Sequence, residues 1–147
     1  MKTLITTLSI IGVLLLSGEL YAAGSTPQKQ TATQLKSKMV AVKRVAWDRR
    51  GNPTPQYAKA VGMHAKVNGA LLALANNVIR YVDSGKAKLS TRVKLTLKKA
   101  GASLRKQSQD FQRVFGRGGI EVPPRIEKPL LNNSLSALTS LEKSLPQ

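Results

Sequence analysis

The sequence predicts an all-α protein: a four-helix bundle of up-down form with a longer connection before the last helix. Three observations predict it. Apolar residues recur at steps of 3 and 4 in four separate segments. Clusters of glycine and proline divide those segments. No segment shows the strict alternation of a half-buried strand.

Residues 1–23 read as a secretory signal peptide. Lys2 supplies the positive start, and residues 4–16 an apolar run broken only by Thr6, Thr7, Ser9 and Gly12. Ala22, Ala23 and Gly24 offer small residues for cleavage, and a cut after Gly24 places Ala22 at the −3 position. The run is shorter than the ~20 residues of a membrane span, so an uncleaved anchor is the weaker reading. The remainder, 24–147, is expected to form one helical domain. The chain has no cysteine. That excludes disulfides, thiolate metal sites and c-type haem attachment, and suits a bacterial periplasmic or secreted protein.

The first helix is predicted over about 31–47, after a polar lead-in at 24–29. Leu35, Met39, Val42 and Ala46 fall on one face. Gly51, Asn52, Pro53 and Pro55 break it. Thr54 is placed to cap a second helix over about 55–83, with Pro55 in its first turn. There Tyr57, Ala60, His64, Val67, Leu71, Leu74, Val78 and Tyr81 form one apolar row, and Val61, Ala65, Asn68, Leu72, Ala75, Ile79 and Val82 a second. A face that wide packs against two or more neighbours. Gly62 and Gly69 sit seven apart in this helix, as a contact for another helix or as tolerated surface positions. Gly85 suits a left-handed cap.

Ser90 is a plausible N-cap for a third helix over about 90–115, with Val93, Leu97, Ala100, Leu104, Phe111 and Val114 inward and Gln107 interrupting them. Gly116, Gly118 and Gly119 stop it, and an extended connection containing Pro123 and Pro124 follows. The fourth helix is expected over about 129–145, with Pro129 in its first turn and Leu131, Leu135, Leu138, Leu141 and Leu145 inward.

The chain carries 24 Lys and Arg against 7 Asp and Glu, a net charge of +17. Residues 1–23 hold one of each sign, Lys2 and Glu19, so the remainder keeps that excess. The cations follow the helices. Arg92, Lys99, Lys106 and Arg113 recur every seven residues along the third, a row of about 31 Å at 1.5 Å per residue. Lys98 and Arg105 lie beside it, and Lys94 extends it. Lys29, Lys36, Lys43 and Arg50 repeat the spacing around the first helix, and Lys59, Lys66 and Arg80 partly do so on the second. Beyond residue 120, Arg125, Lys128 and Lys143 are balanced by Glu121, Glu127 and Glu142. A solvated helix face also lines up Lys and Arg, but it gains from acids at i and i+4, which are scarce here.

The expected function follows from that charge. The chain reads as an exported, non-enzymatic polycation binding an anionic surface or polymer: lipopolysaccharide, anionic lipid or DNA. Arg92, Lys94, Lys98, Lys99, Arg105, Lys106 and Arg113 would make the contact. Beyond residue 23 the aromatics are only Trp47, Tyr57, Tyr81, Phe111 and Phe115, mostly on apolar stripes, which disfavours base stacking. An alternative is an adaptor of a bacterial envelope assembly docking an acidic protein. Another is a haem-binding bundle using His64 with Met39 or Met63, although the single histidine is better read as a structural core residue. No cofactor, metal or small-molecule substrate is inferred. The glycines at 116, 118 and 119 follow a helix and lack the Lys-Ser/Thr ending of a phosphate loop. No nucleophile elbow is present, and no pair of acids recommends itself for acid–base work.

Overall fold

Thr26 starts the first helix earlier than the apolar pattern predicts. Its Oγ1 accepts the N–H of Lys29 at 3.1 Å, and Pro27 takes the first helical position, where a missing N–H costs nothing. Residues 27–29, expected as part of the lead-in, therefore belong to the first turn of α1 (Pro27–Ala46). The computed structural model describes residues 26–86, 88–117 and 122–146. The signal-peptide reading, the glycine stop at 118–119 and Glu121 lie outside the described residues.

Trp47 leaves the helix with extended backbone and makes an antiparallel bridge to Pro53. Between them Asp48 Oδ1 accepts the N–H groups of Arg50 and Asn52, both at 2.9 Å, and Gly51 takes φ +81°. The second helix, α2 (Tyr57–Asp83), starts two residues later than predicted. Thr54 does not cap it. Its hydroxyl donates to the carbonyl of Val45 and its Oγ1 accepts the N–H of Gln56, so it ties the turn back to α1. Gly85, at φ +69°, follows the C-terminal turn as expected.

Ser90 caps α3 (Thr91–Phe115), its Oγ accepting the N–H of Val93 at 3.2 Å. The largest departure is α4 (Pro124–Ser144), which begins five residues before its predicted start. Pro124, not Pro129, holds the first turn. Pro129 lies inside the helix, exposed, where it lacks the N–H that would have met the Arg125 carbonyl and its ring crowds that carbonyl. The extra turn carries Glu127 onto the stripe of Leu131, Ser134, Leu138 and Leu141.

The helices close a ring in chain order: α1 against α2, α2 against α3, α3 against α4, and α4 back against α1. The longer connection thus returns the chain to an adjacent position. This is an all-α four-helix bundle. The predicted inner residues of α1 are all buried, as are Leu97, Leu104, Phe111, Leu131, Leu138, Leu141 and Leu145. Val67, Tyr81, Val93, Val114 and Leu135 are half-buried at the margins. Gly62 and Gly69 do not mark a helix contact, because a Cβ at either would meet nothing within 4 Å. The close approach is at Gly101, where a Cβ would lie 3.0 Å from Cγ1 of Ile79 and 3.4 Å from the Ala75 carbonyl. Among the described residues, no helix is long and apolar enough to cross a membrane.

Candidate functional site

α3 presents Leu97, Leu104 and Phe111 to the core. At about 100° per residue, Arg92, Lys99, Lys106 and Arg113 therefore fall on its outer side. All four are exposed, as is Lys98, whereas Lys94 and Arg105 are half-buried.

Acids sort these seven cations into two groups. Asp110 binds Lys106 Nζ at 2.7 Å and Arg113 at 2.8 Å, holding the last two members of the row. Those two hydrogen bonds, Lys106 first, keep the Asp110 carboxyl below its usual range against a smaller opposing effect of burial. Asp83, at the end of α2, meets Lys98 at 2.9 Å, with both side chains about half exposed. Arg92, Lys94, Lys99 and Arg105 have no ion pair among the described residues. Of these four, Arg92 and Lys99 are exposed and lie toward the α2–α3 turn, where Lys86 and Lys88 are exposed as well. Lys99 also borders a shallow open cleft between α3 and α4, about 330 Å³, lined by Thr96, Ser103, Asn133, Ser136 and Ser140. Hydroxyl and amide groups beside an unpaired ammonium are suited to anion oxygens.

On the α1 row, Lys43 and Arg50 are exposed with no ion pair among the described residues, whereas Lys36 is engaged. Lys36 reaches Glu142 on α4 at 3.1 Å, and the Glu142 carboxyl is held low by that hydrogen bond and one from Thr33. Lys36 thereby helps fasten α1 to α4. On the α4 side, Lys128 donates to the Gly51 carbonyl at 3.1 Å and its ammonium stands 5.1 Å from the Trp47 ring centre.

A second cluster lies inside the bundle. His64, 1% exposed, shares a 2.7 Å hydrogen bond between Nδ1 and Oε2 of the fully buried Glu127. Phe111 stacks on the imidazole with ring centres 3.9 Å apart. The three residues join α2, α3 and α4. His64 is a core histidine, as its place on the apolar row predicts, whereas the charge count alone places Glu127 only among the acids beyond residue 120. Its i+4 relation to Leu131 was the available signal, obscured by Pro129 as an apparent helix start. Glu127 Oε1 is buried with no hydrogen-bond partner. Beside this cluster, Asn68 Nδ2 donates to the Ser108 carbonyl at 2.9 Å, and nearer the α2 start Tyr57 Oη donates to the Val122 carbonyl at 2.6 Å.

Met39, the proposed haem partner of His64, is buried on α1, and Met63 packs half-buried at the core margin. Ligation through Nε2 of His64 would leave its Nδ1–Glu127 hydrogen bond in place, as a carboxylate behind a ligating histidine does. Among the described residues, no group of three or more His, Asp or Glu is gathered to hold a metal ion. No family model, curated protein or solved structure matches this chain.

Proposed function

We propose that this chain is an exported, non-enzymatic helical protein that binds an anionic surface or polymer through the outer face of α3. One observation carries the reading. Arg92 and Lys99, the first two members of the predicted row, stand exposed with no acidic partner among the described residues, while the nearby acids engage Lys98, Lys106 and Arg113. Like charges gathered without compensation cost folding stability, which a bound polyanion offsets by counterion release. The rigid packing beneath the row keeps its spacing regular, so it matches a repeating anion better than a single small one.

Binding of the purified protein to duplex DNA and to heparin, followed by anisotropy at rising salt, tests this reading. Tight binding at low salt that weakens steeply supports it. Affinity for neither polyanion, or affinity unmoved by salt, overturns it. Stoichiometric capture of one acidic envelope protein that outcompetes both polyanions would assign the cations to docking in an assembly instead.

A further inference from the structure

We propose that the first half of α3 docks on an anionic lipid bilayer, with Leu95 entering the interface; the inference rests on the anion-binding reading above and names its partner. Leu95 is the more exposed of the two large apolar side chains at the surface of the described residues, at 59% against 39% for Phe115. An isolated exposed leucine needs no explanation. Leu95 is set apart by its place. It stands about 160–180° around α3 from Leu97 and Leu104, at the centre of the outward face. Its helical neighbours at i−4, i−3, i+3 and i+4 are Thr91, Arg92, Lys98 and Lys99, all exposed. Three of those four are cations, and Lys86 and Lys88 lie at the turn just before them. The acid facing this patch is Asp83, which takes up Lys98 in a half-exposed pair worth little in water.

Long cationic side chains around one apolar side chain match the layering of an anionic membrane surface. The ammonium and guanidinium groups meet lipid phosphates while the leucine reaches the acyl boundary. A nucleic acid or a free polyphosphate uses the cations equally well but offers nothing to Leu95. The leucine therefore separates lipid from the other anions the face could hold.

The readout is chosen local to α3, so that any protein retaining the largely apolar run at 4–16 does not confuse it. The chain has no cysteine, and a nitroxide on Leu95→Cys is therefore unique. Ala58→Cys, exposed at the far end of α2 from the α2–α3 turn, serves as the reference. With vesicles of equal parts phosphatidylglycerol and phosphatidylcholine at low salt, the label at 95 is expected to become shielded from aqueous relaxation agents and exposed to oxygen, and to revert at high salt. The label at 58 is expected to remain aqueous throughout. In parallel, Leu95→Gln, which leaves charge unchanged, is expected to lower the salt-sensitive share of vesicle binding about three- to tenfold while leaving heparin binding intact. If the label at 95 stays aqueous on these vesicles and Leu95→Gln binds as the parent does, the lipid inference fails, even where heparin binding upholds the anion-binding reading. Absence of affinity for both heparin and duplex DNA in the parent protein would remove both readings.

Discussion

The imidazole of His64 and the carboxylate of Glu127 meet where neither can reach water, so each depends on the other for its hydrogen bond. Removing one partner strands the other, whereas replacing both with apolar groups removes the demand. Urea unfolding of Glu127→Leu is expected to show a loss of about 2–4 kcal/mol, and the His64→Leu/Glu127→Leu double variant a loss well below the sum of the singles. Additive losses would mean that the pair is not coupled. The unpartnered Oε1 of Glu127 is a further reason to expect the apolar replacement to be tolerated. Asp110 supplies a different residue-scale expectation. Its folded carboxyl is held below the usual carboxylate range by Lys106 and Arg113. A depressed carboxyl stabilises the fold above its unfolded pKa, and that contribution disappears as pH falls through the folded value. Asp110→Asn should therefore lower the unfolding free energy slightly at neutral pH, by less than about 1 kcal/mol because the cations are exposed. The difference should vanish in strong acid, and an offset that persists there would assign the effect to something other than charge.

At the scale of the helices, the glycines separate surface from contact. Gly62→Ala and Gly69→Ala fill open space inside a helix, and each is expected to add about 0.5–1 kcal/mol in thermal unfolding. Gly101→Ala is expected to lower stability, since Ile79 and the Ala75 backbone stand in the way. A rise for Gly101→Ala equal to that for Gly69→Ala would contradict the close α2–α3 approach. These same elements show where the sequence was readable. Apolar steps of 3 and 4 located four helices because burial follows periodicity, and Leu35, Met39, Leu104 and Leu138 are core residues as read. Helix starts were less readable, since a proline fits both a first turn and a break. Pro27 and Pro124 open helices, whereas Pro129, the better-looking start by leucine spacing, does not. That one boundary hid Glu127 and, with it, the polar centre of the bundle. On the basic face, the positions were legible from the heptad spacing. The pairing of Asp83 with Lys98 was not, because it depends on how α2 and α3 pack, whereas Asp110 meets Lys106 and Arg113 at helical spacings within α3.

For the whole molecule, the charge of +17 is not an even coat. Part of it is spent within the fold, with Lys36 on Glu142 and Lys128 against Gly51 and Trp47. Another part is held along α3 by Asp110. The unbalanced remainder includes a patch from the α2–α3 turn along the first half of α3. A polyanion bound there displaces counterions in proportion to the cations it meets, which makes the salt dependence a count of contacts. The most direct measurement is the slope of log affinity for duplex DNA against log salt, for the parent and for Arg92→Gln/Lys99→Gln. Both residues are exposed and make no ion pair among the described residues, so the fold should be unaffected. The account predicts a slope shallower by about 2, with weaker binding at low salt, while Lys38→Gln/Arg44→Gln on α1 changes it less. Equal slopes for the parent and the α3 variant, or a larger effect from the α1 pair, would contradict it.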